Sequence, residues 1–183
     1  RQTHISAVFL AGHHVFKVKK PVKFGFLDFS GLAKRKHFCE EEVRLNRRLA
    51  PDVYLEVVPV TRNDEGVRVE GDGEVIDWAV KMRRLPEDAT LLERLRRGEV
   101  GAALVEDLAR RLASFHREAD ADARLADFGR FEAVARLVRD LFAQAAPRVG
   151  GTVSAAVCGR VQALAEGTLA RLRPLIDGRA VRG

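Results

Sequence analysis

One carboxylate constrains this chain more than any other group: Glu42, set in the apolar stripe of a helix that follows a lysine-rich strand. The strand reads Val15-Phe16-Lys17-Val18-Lys19-Lys20-Pro21. Its alternation puts Val15, Lys17 and Lys19 on one face. The helix covers Phe38-Cys39-Glu40-Glu41-Glu42-Val43-Arg44-Leu45-Asn46-Arg47-Arg48-Leu49. Stepped at about 100° per residue, Phe38, Leu45 and Leu49 make one stripe. Glu42 falls inside it, Glu41 at its edge and Glu40 outside. A carboxylate on a buried helix face is costly unless paired. The nearest cations in sequence are those of the preceding strand, so the pattern predicts an ion pair from helix to strand.

The flanking segments place this unit in a sheet. Ile5 to Leu10 reads as a strand, Ala11-Gly12-His13-His14 as a tight turn and Val15 to Lys20 as the return strand, ended by Pro21. Phe24-Gly25-Phe26-Leu27-Asp28-Phe29-Ser30 is an aromatic connector without period, and Ser30 is a candidate helix cap. The helix is expected to end near Ala50-Pro51. Tyr54 to Arg62, Val67 to Glu70 and Val75 to Met82 read as further strands around the turns Asn63-Asp64-Glu65-Gly66 and Gly71-Asp72-Gly73. The expected result is an antiparallel meander with one helix inserted.

After Pro86, Ala, Leu and Arg dominate. Apolar stripes mark one helix at Leu104, Leu108, Leu112 and Phe115 and another at Phe131, Val134, Val138, Leu141 and Phe142. A third runs through Val157, Val161, Leu164, Leu172 and Leu175, with a cap near Thr152 or Ser154. The fold class is therefore α+β, with a β-rich part over residues 1–85 and a helical part over 86–183.

Charge and cysteine content narrow the partners. The net charge of +6 suits an anionic ligand. No apolar run approaches the roughly 18 residues that span a bilayer, and no signal peptide opens the chain, so a cytoplasmic protein without a membrane partner is expected. Cys39 and Cys158 lie far apart, without metal-type spacing, and read as reduced thiols.

Several stretches together resemble one family. They are Thr3-His4-Ile5-Ser6, the Val15–Pro21 strand, Phe24–Ser30, Phe38-Cys39-Glu40-Glu41-Glu42, Leu45-Asn46-Arg47-Arg48-Leu49-Ala50-Pro51 and Trp78-Ala79-Val80-Lys81-Met82-Arg83-Arg84-Leu85-Pro86. They resemble the bacterial aminoglycoside-phosphotransferase-like proteins, often fused to a C-terminal P-loop ATPase or kinase domain. The resemblance covers nearly the whole chain and is densest before Asp88. It implies a protein-kinase-like fold: an antiparallel β-rich N-lobe with one inserted helix, then a helical C-lobe. It also implies ATP with Mg²⁺ as cofactors and a small-molecule hydroxyl as phosphoryl acceptor.

Carried onto this chain, the resemblance makes Lys17 the lysine that grips the ATP phosphates and Glu42 its helix partner. Glu42 stands seven residues before Leu49, a spacing such phosphotransferases share. Val8 and Val15 would roof the base. Met82, Arg83 and Leu85 would belong to the linker whose backbone meets the adenine edge. Lys19 shares a face with Lys17 and competes for its role. Leu108–His116 resembles the first long C-lobe helix.

The departures are as specific. The family's His-Gly-Asp catalytic loop, its downstream Asn and its metal-binding Asp have no counterpart here, and no G-x-x-x-x-G-K-[ST] motif occurs. The first N-lobe strand has no counterpart either. The chain is therefore expected to be a fragment of a phosphotransferase, ending before the catalytic loop, with the metal ligands beyond its C-terminus. It should bind nucleotide at most and not turn over alone. Because its C-lobe is incomplete, the apolar faces of the late helices should be abnormally exposed. Two look-alikes are set aside: His116-Arg117-Glu118 continues a helical period, and Gly71-Asp72-Gly73 lies between strands. Lys34-Arg35-Lys36 reads as a solvated basic face. Its sharper alternative is a nucleic-acid-binding module, disfavoured because the basic residues are not interleaved with aromatics. A non-catalytic pseudokinase-like interaction module is the third reading.

Overall fold

The computed structural model describes residues 2–182. Strands β1 (Ser6–Ala11) and β2 (His14–Lys19) form an antiparallel hairpin. Its turn needs Gly12, which takes φ +55°, a region glycine enters without steric cost. The aromatic connector is more ordered than its sequence suggests. It holds a small hairpin of β3 (Lys23–Phe24) and β4 (Leu27–Asp28), with the Phe24 and Phe26 rings stacked 5.9 Å apart.

Helix α1 (Leu32–Asn46) follows, with Gly31 rather than Ser30 at its cap. The Ser30 hydroxyl and N–H both donate to the Asp28 carboxylate instead. The buried face of α1 is Arg35, Cys39 and Val43. This corrects the expected stripe: Leu45 is 47% exposed, and Leu49 lies past the helix end. Counting only Phe and Leu as inward residues overlooks that an arginine can be buried where a carboxylate meets it.

Strands β5 (Tyr54–Asn63), β6 (Gly66–Val69) and β7 (Glu74–Arg83) complete a five-stranded antiparallel sheet in the order β1-β2-β7-β5-β6. A plain meander would leave β7 at an edge. It lies instead at the centre, hydrogen-bonded to β2 on one side and β5 on the other. Its adjacent residues Ala79 and Val80 are both fully buried. On one face Cys39 and Val43 of α1 pack on Val80, with Tyr54, Val57, Trp78 and Met82 around them. On the other face Val58, Val60 and Ala79 pack with Phe16, Val18 and Ile76.

Every later element is helical: a 3₁₀ turn at Glu87–Ala89, then α2 (Leu91–Arg96), α3 (Ala102–Arg117), α4 (Ala123–Gly129), α5 (Phe131–Ala145), a second 3₁₀ turn at Ala146–Arg148, and α6 (Ala155–Arg182). The short helices α2 and α4 carry no long apolar period. Their caps mark them instead: Thr90 accepts from the Glu93 N–H, and Asp122 from the Leu125 N–H. His116 sits in the last turn of α3, and Gly71-Asp72-Gly73 forms the turn between β6 and β7.

The strands give way to helices at Pro86, whereas the division into two compact units falls after Arg117. The first unit holds the sheet, α1, α2 and α3. The second holds α4, α5 and α6 around a small core of Phe131, Ala135 and Leu169. Within it the Asp177 carboxylate accepts the Phe131 N–H. Leu137, Leu141, Val157, Val161 and Leu164 are each at least half exposed, so the late helices do present apolar faces to solvent.

Candidate functional site

The alternation of β2 sends Val15, Lys17 and Lys19 to the face that α1 covers. Lys17 lies opposite Val80 of β7 and Val8 of β1, and Val15 lies opposite Met82. Cross-strand partners share a face, so Val8, Val15, Lys17 and Met82 all look toward the α1 side. Glu42, next to the buried Val43, leans from the helix toward β2.

There the carboxylate divides its two oxygens between two ammonium groups. Lys17 Nζ donates to Glu42 Oε1 at 2.8 Å, and Lys19 Nζ donates to Oε2 at 2.6 Å. The two lysines differ in access: the Lys17 side chain is 31% exposed and that of Lys19 is 6% exposed. Lys19 also lies 5.0 Å from the centroid of the Phe29 ring, a cation–π contact. Burial pushes the Glu42 carboxyl up, yet the hydrogen bonds and charges of Lys17 and Lys19 outweigh it and hold its pKa below the ordinary value. Two ammonium groups and one carboxylate leave this trio with a net positive charge.

The remaining residues singled out from sequence lie along the same face and at the end of β7. Val8, Val15 and Met82 are half-buried. Arg83 closes β7 and is exposed, and its N–H donates to the Val53 carbonyl at 2.8 Å. The Arg84 N–H is likewise taken by the His13 carbonyl. Leu85 follows, 52% exposed, and its N–H has no hydrogen-bond partner among the described residues.

A second ion pair was not foreseen. Arg35, expected on a solvated basic face, is buried in α1. Its Nε donates to Asp77 Oδ1 at 2.8 Å, and its Nη1 to the Phe29 and Ser30 carbonyls at 3.1 and 3.3 Å. Its neighbours in the run are engaged too. Lys34 pairs with Asp28, while Lys36 lies over the Trp78 ring at 4.5 Å and 3.8 Å from Glu40. The basic run is thus tied to the protein's own carboxylates and rings. The missed signal was Asp77, a carboxylate inside the apolar run Val75-Ile76-Asp77-Trp78-Ala79-Val80, which calls for a cation as Glu42 does.

Among the described residues no group of three or more His, Cys, Asp or Glu could hold a metal ion. These residues therefore supply no cage for Mg²⁺. No helix of the described residues is long and apolar enough to cross a membrane.

No family model matches the chain, and no solved structure matches it significantly. Uncharacterized proteins of Mycobacterium bovis and of two strains of Mycobacterium tuberculosis are 29% identical to it over all 183 residues. The chain spans 35% of the length of each.

Proposed function

We propose that this chain is the nucleotide-gripping part of an ATP-dependent phosphotransferase of protein-kinase-like fold, whose acceptor is a small-molecule hydroxyl. One observation carries the reading: the half-exposed Lys17 ammonium, held 2.8 Å from Glu42 on the face that also presents Val8, Val15 and Met82. Protein kinases hold ATP with a strand lysine paired to a helix glutamate. The sheet order supports the same reading, since the lysine strand β2 lies beside the strand β7 that leads to Leu85.

The chemistry available to these residues is binding and orientation. A lysine ammonium has three N–H donors. Lys17 commits one to Glu42 and keeps others for phosphate oxygens. Val8 and Val15 offer an apolar surface to a base, and the exposed Leu85 N–H offers a donor to its edge. Magnesium bound with the nucleotide would neutralise phosphate charge, and none of these residues would hold it. The chain's own part is to fix the phosphates through Lys17 and to hold that lysine in place through Glu42. We expect binding without turnover from these residues alone.

The test is competition between ATP and adenosine for the protein, measured by calorimetry. If Lys17 grips phosphate, ATP binds at least about tenfold tighter, since one charge-assisted hydrogen bond is worth roughly 1.5–3 kcal/mol. Equal affinity for adenosine and ATP would remove the basis of the reading.

A further inference from the structure

Lys17 and Lys19 take different oxygens of one carboxylate and stand at different depths. Lys19 is walled in by the Phe29 ring, by Glu42 and by its cross-strand partner Ser6, which is itself 1% exposed. It has no route to a ligand outside. An isolated pair of one lysine and one glutamate is neutral. If its lysine also engaged a phosphate, the half-buried carboxylate would share a single positive charge with that anion, a costly arrangement when the charge is not compensated. A second ammonium on the other oxygen removes that penalty.

We propose that Lys19 is a positioning residue, a buried cation that keeps Glu42 ionised and oriented through Oε2 so that Lys17, still held by Oε1, has charge and donors available to a phosphate oxygen. The part that concerns phosphate rests on the nucleotide reading above; the part that concerns Glu42 does not. The charged and titratable groups around Glu42 are Lys17 and Lys19 from β2 and the Cys39 thiol from its own helix. Asp77 of β7 lies near Cys39 and is occupied by Arg35. Glu41, next in sequence, is paired with Arg44. The ionisation of Glu42 is therefore in the hands of the two lysines, and only the outer one can also face a ligand.

The Glu42 carboxyl ¹³C resonance, titrated in the protein, tests the first part. Lys19→Met raises the Glu42 midpoint more than Lys17→Met does, and Lys19→Arg, which keeps a cation there, restores it. An equal or larger shift in Lys17→Met overturns the proposal. If Lys19→Met does not fold, Lys19→Arg carries the test: a midpoint raised above wild type in the folded Lys19→Arg protein overturns it. The preference for ATP over adenosine, measured from pH 8 downward, tests the second part. Lys17→Met loses that preference about tenfold or more at every pH. Lys19→Met loses less at pH 8 but loses it at a higher pH than wild type on acidification. A pH profile unchanged in Lys19→Met overturns the positioning role. A wild-type protein with no preference for ATP sinks the nucleotide reading alone, and the carboxyl titration still decides what Lys19 does.

Discussion

Arg35 Nε lies 2.8 Å from Asp77 Oδ1, so the guanidinium of α1 is bolted to the central strand of the sheet. The same side chain donates to the Phe29 and Ser30 carbonyls just before the helix. One residue thereby fixes both the start of α1 and its seat on β7. The placement of Glu42, two turns further along, depends on that seat.

Replacing Arg35 with Ala leaves a largely buried carboxylate with the Trp78 N–H but no counter-charge, and takes the guanidinium donor from two carbonyls. Breaking a buried pair by removing one partner costs about 3–5 kcal/mol. Arg35→Ala is therefore expected to lose about 3 kcal/mol or more in urea unfolding, and Arg35→Lys to recover only part of it, because an ammonium cannot serve all three acceptors in the guanidinium's fork geometry. A loss under about 1 kcal/mol, the size of an exposed pair, would contradict the seat described for α1.

Glu42 gives a prediction in pH. Its folded-state pKa is depressed, the lysine hydrogen bonds winning over burial. Its stabilising contribution is therefore complete above the unfolded value of roughly 4.3 and is lost as pH falls through the lower folded value. At pH 7 Glu42→Gln should be destabilised by about 2–4 kcal/mol, since it leaves the buried Lys19 without its counter-charge. On acidification the gap between wild type and Glu42→Gln should narrow, and only below about pH 4. A gap that is constant with pH would mean that Glu42 is not held as an ion.

Two glycines, Gly12 in the β1–β2 hairpin turn and Gly73 in the connection from β6 to β7, separate backbone freedom from space. Gly73 has φ +127°, and a Cβ there would sit 2.3 Å from the Arg62 carbonyl oxygen. Gly73→Ala should cost about 2 kcal/mol or more, from strain and collision together. Gly12 has φ +55° and open space around it. Gly12→Asn, a residue that visits this left-handed region, should cost under about 1 kcal/mol. Denaturant midpoints of the two variants decide the order.

The two cysteines are unbridged and differ in burial. Cys39 is fully buried between α1 and the sheet, and burial pushes its thiol up to about 11 against the nearby Lys19 charge. Cys158 is half-buried in α6. A thiol reagent at pH 8 should label Cys158 in the folded protein and reach Cys39 only after denaturant is added. Rapid labelling of Cys39 in the native protein would contradict the packing of α1.

The strand pattern of the first half was legible because turns and alternation are local: Gly12, Gly66 and Gly73 mark the turns, and the strands between them lie within two residues of where the pattern puts them. The pairing of Glu42 with the lysine strand was legible from the cost of a buried charge. Sheet order was not, since β7 reaches the centre by pairing with both β2 and β5, a long-range choice that period alone does not report. The facing of α1 was misread for a related reason. Arg35 looks like surface until Asp77 is seen to need it. That both lysines share Glu42 was also hidden, because a period of two puts them on one face but says nothing of depth.

On the proposed reading Lys17 meets the phosphates of a nucleotide while Glu42 holds it. The most direct measurement is ATP affinity, by calorimetry, for wild type, Lys17→Ala and Lys19→Ala side by side at pH 8. On this reading Lys17→Ala loses about tenfold or more, from one charge-assisted hydrogen bond, and Lys19→Ala loses less. Equal losses in the two variants, or no loss in Lys17→Ala, would contradict it.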